Sequence, residues 1–182
     1  THCFPKYYTY ICDIKYMQDM REVEFVPFRL TEVAEIFSIR IVGNEHSELQ
    51  DFLIAFKSIE SPDLHKDFEQ ILKTLAGIAQ EGAKQSFFRQ EGKMKDRVCA
   101  IPLLTSHRQK HKGTLRLYCI RICDKLLIVG GGGIKTTRTY EEDEKLYEYV
   151  KTLQMIDKEL ANLENDGKNL LKEIYNIKIY ID

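Results

Sequence analysis

The chain lacks tryptophan altogether and has only four prolines. No apolar run is long enough to span a bilayer, and no secretory signal pattern opens the sequence. Both absences argue against a membrane protein. Five cysteines (Cys3, Cys12, Cys99, Cys119, Cys123) are an odd number without the spacing of a disulfide framework. That pattern points to reduced thiols and a cytoplasmic location. No internal repeat is visible. Net charge is nearly absent too, with 27 Lys/Arg against 28 Asp/Glu.

That near-neutrality hides an asymmetry. Residues 84–138 hold thirteen Lys/Arg against three acids (Glu91, Asp96, Asp124), while the rest of the chain holds fourteen against twenty-five. A concentrated positive field usually faces an anionic partner, and nucleic acid is the commonest. The plainer alternative is a set of solvated surface charges.

Apolar periodicity orders the elements. Residues 7–30 mix β-formers with charges and predict one or two strands, with Pro27 at an edge or in a loop. Ile36–Val42 predicts a strand closed by a Gly43-Asn44 turn. Two helices follow. One starts behind Ser47, and the other restarts at Ser61-Pro62 and ends at Gly82. The period then falls to two. Ser86–Arg89 and Arg97–Leu104 read as strand pieces, and Leu115–Cys123 and Leu126–Val129 as a hairpin ended or bulged by Gly130–Gly133. Residues 105–114 form a basic loop between strands. A long helix is expected over 141–163, then a break at Asp166-Gly167, a short helix and a last strand.

Two familiar motifs are incomplete. A phosphate-binding loop needs Gly directly before Lys and a helix after it, but Ile134 stands before Lys135. A glycine bulge or a close backbone approach is the competing account of the glycines. His107/His111 and Cys119/Cys123 are each spaced by four, which fits no strong zinc signature. No metal or cofactor is expected.

The cations carry more. Lys93, Lys95 and Arg97 are two apart and share a face if extended. Arg116 stands early in a strand, and Lys135, Arg138 and Tyr140 follow the next one. If these strands are neighbours, the groups converge on a groove suited to a phosphodiester. Arginine donates bidentate hydrogen bonds to phosphate and stabilises transition-state charge. A Lys or Tyr of lowered pKa, or a His, can take the proton of a ribose 2′-OH. Electrostatic docking without chemistry uses the same residue types.

The order strand, helix, helix, three antiparallel strands, helix, with LRLYCIRICDKLLIVGGGGIKTTRTY at its heart, resembles the RelE/ParE superfamily of bacterial toxin modules. Leu115–Tyr118 is similar to its Arg-bearing aromatic strand, Asp124-Lys125 to its turn, Leu126–Val129 to its apolar strand and Lys135–Arg138 to its basic end. The resemblance spans roughly residues 36–156. It implies a compact α+β fold, a helical hairpin packed on a small antiparallel sheet and followed by a long C-terminal helix. Residues 1–35 then form an N-terminal extension and 157–182 a C-terminal helical and strand tail.

In its RelE-like and HigB-like branches the resemblance implies ribosome-dependent cleavage of mRNA by the 2′-OH of the RNA itself. The partners it implies are mRNA, the ribosome and an antitoxin, in a bacterium or phage. Carried over by position, Arg116 would bind the scissile phosphate, Lys135 or Arg138 would assist charge or proton transfer, and Tyr140 would orient or stack on a base. His107 and His111 would supply acid–base groups. Lys93, Lys95 and Arg97, with Arg108, Lys110 and Lys112 of the loop, would bind RNA. The alternative is a non-catalytic interaction module on the same fold, as in the gyrase-poisoning ParE branch, or an assembly protein.

Overall fold

The computed structural model describes residues 20–93, 95–101 and 113–182. It is an α+β fold built on one seven-stranded sheet. The strands are β1 (Arg21–Leu30), β2 (Glu35–Ile41), β3 (Arg89–Gln90), β4 (Val98–Ala100), β5 (Thr114–Cys123), β6 (Leu126–Lys135) and β7 (Lys178–Ile181). The helices are α1 (Glu48–Phe56), α2 (Pro62–Glu81), α3 (Glu144–Asn165) and the one-turn α4 (Leu170–Glu173). Across the sheet the order is β3-β4-β5-β6-β2-β1-β7. None of the described helices is long and apolar enough to cross a membrane.

The sheet corrects the expectation of a small antiparallel one. It has seven strands, and β2 runs parallel to β6, pairing Glu35–Ser38 with Leu126–Val129. A parallel pair needs a long crossover, and α1, α2 and the β3–β5 strands supply it. Strands β1 and β7 come from the segments set apart as 1–35 and 157–182, yet they pair with each other and complete the same sheet.

Local chemistry fixes the helix ends. Ser47 and Gln50 form a reciprocal capping box on α1. Ser61 caps α2 ahead of Pro62, and Gly82 ends it at φ 92°. Asp143 Oδ1 accepts from Leu146 N at 3.0 Å to start α3. Pro27 lies inside β1, but β7 pairs only with Arg21–Glu24, so Pro27 has a neighbour on one side alone. There its missing N–H costs no ladder bond.

Alternation divides the strand residues between two cores. Leu115, Leu117, Cys119, Leu127 and Val129 pack under α1 and α2, with Phe52, Ile71 and Ile78. Tyr118, Ile120, Leu126 and Ile128 pack under α3, with Leu146, Val150, Leu153 and Ile156. The sheet is thus covered on both faces over β4, β5, β6 and β2.

Two strand predictions are revised. Gln85–Phe87 is a 3-10 turn, leaving only Arg89-Gln90 as strand, and β4 is three residues long. The glycines do not end β6, which runs through them to Lys135. The register slips between Leu117 and Cys119, where Gly132 and Val129 are the partners, so β6 carries an extra residue. A Cβ on Gly130 would lie 2.9 Å from Leu153, and one on Gly131 2.3 Å from the Tyr149 ring. The missing side chains let α3 settle directly on β6.

Candidate functional site

Leu115 and Leu117 face the α1/α2 core, so Arg116 projects from the other face of β5, the face of Tyr118. Ile134 likewise packs on the α1/α2 side, which turns Lys135 to the face of Arg116. Arg116 pairs with Gly133 and Thr114 with Lys135, so the two cations stand on adjacent strands near one end of the hairpin. Opposite Arg116, Gly133 has no side chain to fill the space. Tyr140, in the 3-10 turn after β6, packs edge-on to Tyr118 with ring centroids 6.5 Å apart. The β3–β4 turn adds Arg89 and Glu91, whose ion pair is 3.6 Å.

These groups act on one another. Burial holds the Arg116 guanidinium below its ordinary pKa; the Glu91 and Tyr118 charges oppose that shift, and Arg89 adds to it. Burial also lowers Lys135; Glu91 opposes that shift, while Arg116 and Arg89 reinforce it. Both phenols move up. Tyr118 does so through burial and then Glu91, and Tyr140 through burial and then Glu141. The phenols therefore hold their protons at neutral pH, while Lys135 gives one up more readily than a free lysine does.

Several polar atoms here are sealed from solvent without a hydrogen-bond partner: Arg116 Nε and Nη1, Tyr118 Oη and Glu91 Oε1. Such atoms are rare in folded proteins and call for an explanation. Two of these atoms belong to one guanidinium, and Glu91 Oε1 has the Arg89 ion pair but no hydrogen bond. An oxyanion fits the arginine, whose planar fork matches two phosphate oxygens.

Other predicted site residues lie elsewhere. Arg138 is exposed in the bend after β6. Lys93 and Lys95 are exposed in the β3–β4 turn, which Asp96 closes by accepting from Lys93 N at 2.7 Å. They are not on a strand, so the shared face expected for Lys93, Lys95 and Arg97 does not form. Arg97 points to α3, where Nε donates to Asp157 Oδ1 at 2.7 Å and Nη1 to Glu164 Oε2 at 2.7 Å. Arg97 carbonyl O accepts from Arg121 N, five residues along β5 from Arg116 and so about 17 Å away. His107, Arg108, Lys110, His111 and Lys112 lie outside the described residues.

Three members of the cluster were missed by sequence reasoning. Tyr118 was legible, since it stands two residues from Arg116 on a confident strand and must share its face. Arg89 and Glu91 were not. They reach the site through a two-residue strand and a side-chain-closed turn, neither of which leaves a periodic signal. No family model matches the chain, and no curated protein is significantly similar to it.

Proposed function

We propose that this chain is a toxin-like RNA-binding protein that cleaves mRNA at the ribosome, with Arg116 gripping the scissile phosphate and Lys135 handling a proton. The observation that carries the reading is the placement of Arg116 and Lys135 on one face of adjacent strands, with side-chain-free Gly133 opposite Arg116 and the Lys135 pKa lowered by burial. The resemblance to RelE-like modules supports it through element order. In sequence the elements are β2, α1, α2, four antiparallel strands β3, β4, β5 and β6, and then α3, one short strand more than the resemblance expects.

The chemistry needs only the substrate and these side chains. The 2′-oxygen attacks the adjacent phosphorus and the P–O5′ bond breaks. The products are a 2′,3′-cyclic phosphate and a 5′-OH. Arg116 binds the non-bridging oxygens and stabilises the added charge of the pentacoordinate state. One proton leaves the 2′-OH and one reaches the departing 5′-oxygen. Lys135 suits such transfer because burial holds its pKa below that of a free lysine, which eases loss of its proton. Tyr140, with a raised pKa, acts as a donor or a stacking platform and not as a base. A cellular antitoxin would hold the activity in check.

The test is induced expression of wild type and Arg116→Ala in a bacterial host, with mRNA 5′-ends mapped. Growth arrest with new 5′-OH ends in translated messages, lost in the variant, is the expected outcome. Arrest without new ends would replace this reading with a non-catalytic binding module. Absence of both would remove the toxin reading.

A further inference from the structure

We propose that Cys99 and Cys119 are a thiol-oxidation site, at which a hydroperoxide oxidises Cys99 and Cys119 then closes on it to form a disulfide between β4 and β5. The proposal is independent of the reading of the Arg116 cluster.

The two cysteines are direct cross-strand partners, and both face the α1/α2 core. On one side of them Ile101 N donates to Leu117 O, and on the other Arg121 N donates to Arg97 O. Those flanking pairs are hydrogen-bonded, so Cys99 and Cys119 hold the same kind of register position, with Cα atoms about 5.5 Å apart. A disulfide spans Cα separations of about 4.4–6.8 Å. The Sγ atoms already touch, at 3.5 Å. Cys123, the other described cysteine, stands four residues along β5 from Cys119. That is about 13 Å, too far to compete.

A buried free cysteine is by default a small core hydrophobe. Cys119 alone would be one. It is wholly buried, and burial, followed by the hydrogen bond with Cys99, holds its thiol well above the ordinary pKa. Cys99 differs. It stays 5% exposed and lines a surface cavity together with Gln85, Gln90, Arg97 and Arg121. A small oxidant in that cavity meets Cys99 and not Cys119. The Cys99 sulfur attacks one peroxide oxygen and the O–O bond breaks. The departing oxygen takes the thiol proton, so the peroxide is reduced to water or an alcohol and Cys99 becomes a sulfenic acid. Cys119 Sγ then attacks the oxidised sulfur. The S–S bond forms, the S–O bond breaks, and the hydroxyl leaves with the Cys119 proton as water. The new bond fastens β4, a strand of three residues, to β5.

The test exposes the reduced full chain to limiting hydrogen peroxide without denaturant. The peroxide is then removed, the remaining thiols are alkylated in urea, and the peptides are mapped by mass spectrometry. The expected product is a linked pair of peptides carrying Cys99 and Cys119, which dithiothreitol separates again. In Cys119→Ser the route stops halfway, and Cys99 should take up dimedone, which traps sulfenic acids. In Cys99→Ser, Cys119 should stay reduced at the same dose. Wild type in which Cys123 is oxidised while Cys99 and Cys119 both remain alkylatable would overturn the proposal and leave the pair as core packing. So would a linkage that forms only when the peroxide is added in urea, since the oxidant would then reach the pair through unfolding. Dimedone on Cys119 in Cys99→Ser would overturn the order of attack. The wild-type measurements decide the matter even if a variant fails to fold.

Discussion

At the scale of the residue, the cluster holds polar groups that folding alone would not choose. Each sealed, unpartnered donor costs about 1–3 kcal/mol of stability. Replacing Arg116 by methionine, which keeps the aliphatic stem, should therefore stabilise the fold by about 1–2 kcal/mol. Under the proposed function, the same change should abolish mRNA cleavage. Urea denaturation alongside 5′-end mapping checks both, and a destabilised Arg116→Met would mean the guanidinium has a structural partner. Lys135 gives a pH-dependent version. Its folded pKa lies below the ordinary 10.5 because burial disfavours the charged form. The folded state thus binds fewer protons than the unfolded state between the lowered value and 10.5. The penalty is fully present below the folded pKa and fades as pH rises toward 10.5. Lys135→Met should accordingly raise the urea midpoint at neutral pH, with a gain that shrinks as pH approaches 10.5. A pH-independent gain would rule out this origin. Arg116 could be read onto a strand from the sequence, because period-two alternation marks that strand; Lys135 and Tyr140 were expected only after the next strand, and the structure puts Lys135 at the end of β6 and Tyr140 in the turn beyond it. Glu91 was not legible, because its position depends on how Asp96 folds a turn.

At the scale of the element, the run Gly130–Gly133 was open to two readings, a strand end or a bulge with close backbone approach, and the structure has the second. Four glycines in a row resemble a strand end, yet tertiary packing uses them inside a strand. Gly132 is the most demanding. A Cβ there would sit 2.1 Å from the Arg116 carbonyl oxygen, which is backbone and cannot swing aside. At Gly133 it would meet only the Leu146 side chain, at 3.2 Å. Gly132→Ala should destabilise by about 1–3 kcal/mol through this overpacking, and Gly133→Ala by less. Comparable urea midpoints for the two variants would show that the slipped register of β5 and β6 absorbs the methyl. A second element-level device is the clamp between β4 and α3. Asp157, 7% exposed at its side chain, takes both the backbone N–H and Nε of Arg97. Asp157→Ala leaves the guanidinium with Glu164 alone and should cost about 2–3 kcal/mol, less than for a fully broken buried pair because Arg97 keeps that bond and some contact with water. The long helices were legible, since Ser47, Ser61-Pro62 and Gly82 are strong stop and start signals. The parallel β2–β6 pair was not, since nothing local in either strand records which neighbour it takes.

At the scale of the molecule, folding divides the described cations of residues 84–138 into two sets. Arg97 is tied to Asp157 and Glu164, Arg121 to Asp124 and the Ala83 carbonyl, and Lys84 to Glu81. Arg89 is exposed but paired with Glu91, and Lys93, Lys95 and Arg138 remain at the surface, so the sequence overstates the positive field that these described residues offer a ligand. This division has a measurable signature. A cation that neutralises a phosphate of single-stranded RNA releases a counterion and adds about 0.7 to the slope of log K against log salt. If the protein binds RNA as proposed, removing Lys93, Lys95 or Arg138 should weaken that binding across sequences and flatten the slope by up to about that amount each. Lys84→Ala should leave the slope unchanged, because Lys84 answers Glu81 at 3.3 Å and not the ligand. If Lys84→Ala flattens the slope as much as Lys93→Ala does, binding follows the average charge of the window, and the folded division into paired and free cations is irrelevant to it. If only the free cations count, the nucleic acid tracks along the β3–β4 turn and the bend after β6, the two segments that flank Arg116.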